Sequence, residues 1–184
     1  MQAPSGQVTA PALQALLKDG ALAGDWVLDP RRSSVRLETS LMWGLVPVRG
    51  VFRRVDGHGT VSADGEVGGA VTVAASSIDT QNRRRDAHLR SATFLDSAKH
   101  PDITFTAHGV RPSGRGVVVT GALTVRGRTR PLSFAAAVSV PGDDELWLDA
   151  EVHVDRADFG LTLSVLGMVS TDNTLTVHAV FTRR

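Results

Sequence analysis

In the stretch Leu146-Trp147-Leu148-Asp149-Ala150-Glu151-Val152-His153-Val154-Asp155, the apolar residues Leu146, Leu148, Ala150, Val152 and Val154 alternate with Trp147, Asp149, Glu151, His153 and Asp155. A period of two sends successive side chains to opposite faces of a strand. One face here is apolar and the other largely polar, the pattern of an antiparallel sheet buried on one side. Working outward, Leu175, Val177, Ala179 and Phe181 alternate with Thr176, His178, Val180 and Thr182. Upstream, the same rhythm runs through Val35–Leu41, Val71–Ala75, Ile103–Ala107, Val117–Val125 and Leu132–Val138. Gly57, Gly59, Gly65, Gly68 and Gly69 read as punctuation between strands, Gly114–Gly116 as a turn, and Arg126-Gly127-Arg128-Thr129 as a hairpin loop. About eight such strands in one domain make a sandwich or a closed up-and-down barrel.

Two segments depart from this period. Leu13, Leu16 and Leu17 share one face at helical spacing, which predicts a short amphipathic helix from Pro11 to Lys18, stopped by Asp19-Gly20. Asn82 to Ser91 holds good helix formers, no β-branched residue and an Asn suited to the N-cap, so a second short helix is expected around residues 82–92.

The chain has 184 residues, a formal net charge of +1, and 42% hydrophobic and 21% charged content. That is the balance of one globular domain and excludes a disordered chain. Eighteen Gly, eight Pro and 5% aromatic residues favour turns over long helices. No apolar run approaches the roughly 18 residues of a membrane-spanning helix. Twenty basic residues against nineteen acidic ones create no global field toward nucleic acid or anionic lipid, so electrostatic recognition must be local. Tyr is absent and no basic–aromatic interleave suggests RNA stacking; neither a nucleic-acid partner nor a membrane span is expected. The absence of cysteine excludes disulfides, thiol nucleophiles and Cys-type zinc sites. Met1 to Thr9 is polar and Pro11 to Leu22 is mixed, unlike the continuous apolar core of a secretory signal. The expectation is a cytoplasmic protein, or a periplasmic or secreted one where a signal has been removed.

Catalytic and metal signatures are sparse. There is no Gly-x-Ser-x-Gly elbow and no phosphate loop ending in Gly-Lys-Ser/Thr. The six histidines, at 58, 88, 100, 108, 153 and 178, form no close ligand spacing, so no metal site is expected. Asp86 and His88 stand two apart on the predicted helix and so do not face each other. The inward strand positions are mostly Val, Ala, Thr or Gly. In an eight-stranded barrel such a narrow lining favours one small ligand over a filled interior, whereas in a sandwich the same residues interdigitate as a dry core. Arg83-Arg84-Arg85 opposes the dipole at a helix start. Beside free N–H groups these cations suit an anionic head group; alternatively they form a solvated surface turn.

Trp26-Val27-Leu28-Asp29-Pro30 followed by Ser33-Ser34-Val35 resembles the opening of YceI-like, polyisoprenoid-binding domains. So do Ser77-Ile78-Asp79-Thr80-Gln81-Asn82 leading into Arg85-Asp86-Ala87-His88-Leu89-Arg90-Ser91, then Phe94-Leu95-Asp96 and Pro101-Asp102-Ile103-Thr104-Phe105. Gly121-Ala122-Leu123-Thr124-Val125-Arg126-Gly127, Thr129-Arg130-Pro131 and Asp155-Arg156-Ala157-Asp158-Phe159-Gly160 continue the resemblance in order. It spans residues 24–184 and leaves 1–23 as an N-terminal extension. It implies an all-β, eight-stranded antiparallel, lipocalin-like barrel whose pore holds a polyisoprenoid, an isoprenoid quinone or a fatty-acid-type chain, with no established catalytic residues. The motif around Asp86 and His88 can also be read as glue between helix and barrel.

These readings combine into a non-catalytic protein that binds, stores or transports a long-chain isoprenoid lipid or isoprenoid quinone, with no cofactor beyond that ligand. The alternatives are a lipid-modifying enzyme using polar residues near 85–88, or an interaction domain with a packed core. Strand parity puts Val35, Leu37, Val73, Phe105, Leu123, Phe134, Leu148, Val152 and Val177 on the wall. The poorly alternating segments Leu41–Val46 and Leu161–Val169 are expected at a mouth or lid, with Met42, Trp43, Leu163 and Met168 as contacts. Arg83, Arg84, Arg85 and His88 are the head-group candidates. Half-apolar loops at a barrel mouth are often covered by a second copy, which keeps a homodimer among the expectations.

Overall fold

The computed structural model describes residues 7–41, 46–162 and 170–184. Its strands are β1 (Gly24–Leu28), β2 (Ser34–Leu41), β3 (Val46–Phe52), β4 (Val55–Val61), β5 (Val67–Ala74), β6 (Ile78–Asp79), β7 (Asp102–Ser113), β8 (Gly116–Val125), β9 (Arg128–Gly142), β10 (Glu145–Asp155) and β11 (Asp172–Arg183). The helices are α1 (Ala10–Lys18) and α2 (Arg83–Arg90). These segments form eight staves, because the first six strands are three staves each broken once. One edge of β11 pairs with β2 through Val177↔Val35 and with β1 through Phe181↔Leu28. In turn β1 pairs with β4 and β2 with β3, while β4 pairs with β5 and β3 with β6. From β5 the ladder continues through β7, β8, β9 and β10 to β11, every pairing antiparallel, and closes on β1 and β2. The result is a closed eight-stranded antiparallel barrel rather than a sandwich, with β6 paired to β3 alone.

At two of the breaks, hydroxyl and carbonyl groups take the place of missing strand partners. Opposite the gap between β1 and β2, the Val180 N–H donates to Ser33 Oγ at 3.0 Å and its carbonyl accepts from Asp29 N at 2.8 Å. At Arg53-Arg54, between β3 and β4, Arg53 N donates to Ser77 O and Arg54 N to Ser77 Oγ, both at 3.1 Å. Ser77 closes the 3-10 turn Ala75–Ser77 that breaks the third stave.

The glycines expected to punctuate the strands are partly inside them. Gly57 lies within β4 and Gly69 within β5. A Cβ on Gly57 would stand 2.9 Å from the Ala70 carbonyl and 3.1 Å from Leu28 Cδ1, and one on Gly69 would stand 2.4 Å from the His58 carbonyl. Close backbone approach, not chain reversal, explains these two residues. Gly65, with φ +83°, does sit in the turn. In the β8–β9 hairpin Arg126 (φ 49°) and Gly127 (φ 71°) form the two-residue, positive-φ turn whose twist matches the flanking strands.

One barrel end is shut by α1. Leu13, Leu17 and Leu22 are buried together with Trp26, Val61, Val117 and Val119. The Trp26 indole N–H donates to Leu22 O at 3.0 Å, while the Arg183 guanidinium lies 4.8 Å over the ring and donates to the carbonyls of Ala21 and Ala23. At the other end Asn82 caps α2, its side chain accepting from Arg85 N at 3.1 Å. Among the described residues no helix is long and apolar enough to cross a membrane.

Candidate functional site

The barrel encloses a cavity of about 440 Å³, within the range of pockets that hold one small-molecule ligand. It runs from Trp26 at the α1 end to Leu89 and Phe94 at the α2 end. Leu37, Phe105, Phe134, Leu148 and Val177 line it and are only partly buried, although they point away from the outer surface. Their accessible area faces the interior void. Phe105 and Phe134 form a tilted pair inside the barrel with ring centroids 5.2 Å apart. Room for that pair comes from Gly121, whose absent Cβ would stand 2.6 Å from Phe105 Cζ. Gly59 thins the wall further, since a Cβ there would meet nothing nearer than the Gly68 carbonyl at 3.6 Å.

Polar side chains gather at the α2 end. Thr39, Thr80, Arg85, His88, Arg156 and Asn173 all contribute to the lining there. Buried Asp86 organises the group by accepting from Thr80 N at 2.9 Å and Thr80 Oγ1 at 2.6 Å. Arg85 completes the chain, donating from Nε to Thr80 Oγ1 at 2.7 Å and from Nη2 to Thr80 O at 3.0 Å. Across the rim, Arg156 is buried and donates to the carbonyls of Ser170 and Leu161, and its guanidinium lies 5.6 Å from the Phe94 ring centroid. Burial pulls the Arg156 pKa below its ordinary value, against a smaller opposing pull from Asp155. His88 is exposed, with its ring 6.1 Å from Phe94.

The positions chosen from strand parity, Val35, Leu37, Val73, Phe105, Leu123, Phe134, Leu148, Val152 and Val177, all stand on the cavity lining. Met42, Trp43, Leu163 and Met168 lie outside the described residues. The three consecutive arginines separate: Arg85 turns to the cavity, Arg83 stands on an outer cleft, and Arg84 is exposed and lines neither. Arg156, Asn173, Thr39 and Phe94 are not among the site candidates read from the sequence, although Phe94 and Arg156 stand in the motifs of the resemblance. Arg156 and Phe94 sit in irregular segments where parity has no meaning, and nothing local announces that an arginine will be buried. His153 and His178 are on adjacent strands, but His178 Nδ1 lies 2.6 Å from Asp149 Oδ1 and His153 is 3.5 Å from Glu151. Among the described residues no three His, Cys, Asp or Glu side chains are grouped to hold a metal ion.

The barrel is similar to several solved structures. It superposes on Burkholderia cenocepacia BcnA with a TM-score of 0.75 at 20% identity, covering 83% of this chain and 98% of that one. A polyisoprenoid binding domain from Saccharophagus degradans, implicated in plant cell wall breakdown, gives a TM-score of 0.68 at 16% identity over 86% of this chain and 98% of that one. In sequence, the chain is 36% identical over 120 residues to Protein YceI of Escherichia coli O17:K52:H18, covering 61% of this chain and 62% of the relative. It is 40% identical over 98 residues to Protein YceI of Salmonella arizonae, covering 50% and 51% respectively. The matches thus span between about half and two thirds of those relatives' length. The YceI-like domain model matches residues 26–181, from the Trp26 plug to the Phe181 pairing that closes the barrel, and the chain belongs to that family.

Proposed function

We propose that the barrel binds, stores or transports a long-chain isoprenoid lipid or isoprenoid quinone without chemically altering it. The observation that carries this reading is the apolar cavity, shut by α1 and Trp26 at one end and with Thr80, Arg85, His88 and Arg156 gathered at the other. A tail laid along Phe105, Phe134 and Leu148 leaves its head group among Thr80, Arg85, His88 and Arg156. The Saccharophagus degradans domain of the same fold is described as polyisoprenoid-binding, which supports a ligand of this class. Each buried methylene contributes about 0.8 kcal/mol, offset in part by ordering a flexible chain. The expected behaviour is slow release with weak discrimination of tail length.

The arrangement of the rim supports a non-catalytic role. Asp86 spends Oδ1 on Thr80, and exposed His88 stands on another face of α2, so the two do not assemble into an acid–base pair. A packed-core interaction domain fits less well, because the cavity leaves large wall residues without partners on one side. Native mass spectrometry of protein purified from its own host, followed by solvent extraction, tests the proposal. A stoichiometric extra mass that extracts as a prenyl lipid or quinone supports it. A bare polypeptide mass, unchanged after incubation with prenyl lipids, quinones and fatty acids, overturns it.

A further inference from the structure

The outer side of α2 carries a second constellation that the barrel cavity does not use. Arg83, Asp86 and Arg90, spaced to share one helical face, border a surface cleft whose opposite wall is Arg53, Arg54, Ser76, Ser77 and Asp79. Arg85, His88 and Leu89, on the other side of the same helix, line the cavity. The cleft therefore lies outside the barrel with α2 as the partition.

Four guanidiniums face two carboxylates in this cleft. Both carboxylates are engaged: Asp79 Oδ2 pairs with Arg53 at 2.8 Å while its Oδ1 accepts from Gln81 N at 2.9 Å, and Asp86 Oδ1 takes both donors of Thr80. Arg54 donates to Ser76 Oγ on the same wall at 2.8 Å, which leaves that hydroxyl's own proton available to donate, and Arg90 donates from Nη2 to Ile78 O. Arg83 is exposed. The site thus carries an excess of cationic donors in a protein whose overall charge is only +1, on a chain break already held by Ser77.

We infer that this cleft is an oxyanion site for a phosphate-bearing group, with Arg54, Arg83 and the Ser76 hydroxyl as the donors that meet it and Arg90 supplying local positive charge. Guanidiniums from separate elements around a hydroxyl present planar, forked donors to tetrahedral oxygens. The shared chemistry admits two sources, a free phosphate compound or the head group of an anionic lipid at a membrane surface.

The test compares the full chain with Arg54→Gln/Arg83→Gln and with the charge-matched control Arg84→Gln/Arg115→Gln, which alters exposed arginines outside the cleft. Inorganic phosphate and pyrophosphate are titrated by NMR and calorimetry. Separately, sedimentation is measured with phosphatidylglycerol vesicles and with neutral phosphatidylcholine vesicles. Each guanidinium removed weakens a specific contact about tenfold or more, so the cleft variant should lose binding in whichever arm the wild type shows it. The control should bind like wild type, and added salt should weaken every interaction. Saturable binding of soluble phosphate that the cleft variant loses supports a free phosphate ligand. Binding confined to anionic vesicles, also lost in the cleft variant, supports the head group. No binding in either arm, or an equal loss in the control, overturns the inference. Unchanged thermal unfolding of the cleft variant separates loss of a site from loss of fold.

Discussion

Asp86→Ala tests whether α2 is fastened to the barrel as the structure implies. Asp86 and Thr80 are 7% and 6% exposed, so the Thr80 N–H and hydroxyl have no ready exchange of their carboxylate acceptor for bulk water. Hydrogen bonds to a charged partner contribute about 1.5–3 kcal/mol, and an orphaned buried donor costs about 1–3 kcal/mol. Both bonds end on one oxygen, so their values are not independent, and about 3 kcal/mol is the expected total for Asp86→Ala. Asp86→Asn keeps an acceptor without the charge and should cost about 1 kcal/mol. For a domain of this size each kcal/mol moves Tm by about 2–4 °C. The alanine variant should therefore unfold about 6–12 °C lower and the asparagine variant about 2–4 °C lower. The loss is local, so hydrogen exchange should rise first in residues 78–95, while β8 to β10 keep their protection until global unfolding. A Tm fall below about 2 °C for Asp86→Ala, or no difference in exchange between α2 and the central strands, would refute the assigned linkage.

Gly59→Leu projects a side chain into the Trp26 end of the cavity, where its Cβ has ordinary clearance. The variant should keep its Tm while its extracted cargo shifts to shorter tails, as lipid mass spectrometry would show. Gly121→Ala sets a Cβ 2.2 Å from the Thr106 carbonyl and 2.6 Å from Phe105; overpacking of this kind costs about 1–3 kcal/mol, and circular dichroism should record the lower Tm. Leu123→Glu and Phe134→Glu, as separate variants, should abolish retention of prenyl lipid by lining the pore with charge; a folded variant that retains cargo would remove that residue from the wall. In acid, Glu145 and Asp79 matter. Hydrogen bonds from Arg32 to Glu145, and from Gln81 N and then Arg53 to Asp79, hold both carboxyls below their ordinary pKa values. Their stabilisation is present above the unfolded pKa of about 4 and lost as pH falls through the lower folded values. Glu145→Gln should flatten that part of the stability-against-pH curve, measured by urea unfolding.

Period-two alternation survives translation into structure along parts of the unbroken staves, although β11 buries the neighbours Ala179 and Val180 together. In β10 the alternation of Ala150, Glu151, Val152 and His153 reappears as buried, exposed, buried, exposed. It fails at the breaks. Asp29 to Ser33 and Arg53-Arg54 interrupt ladders that are repaired by Ser33, at the end of the first break itself, and by Ser77, brought in from the third stave. No local pattern encodes that a hydroxyl will replace a strand partner. The glycines mislead for a related reason: a glycine required by the approach of Ala70 O or Leu28 looks the same in sequence as one required by a positive φ.

Parity alone does not separate a lined cavity from a dry core, because inward residues are apolar in both. The difference is a volume balance around the whole ring. At Gly59 there is clearance for a Cβ that the sequence does not supply, while at Gly121 the space is already taken by Phe105 from the neighbouring strand. Two glycines with the same inward parity thus have opposite meanings, one leaving a void and one admitting an aromatic ring. Only the register of β4 against β1 and of β8 against β7 assigns them. The rim follows the same logic. Arg83, Arg84 and Arg85 are chemically identical neighbours, yet helical geometry and the Thr80 hydrogen bonds send one to the cavity and one to the outer cleft and leave one in solvent. A run of like charges is therefore a set of separate side chains whose roles are fixed by the wall that each one meets.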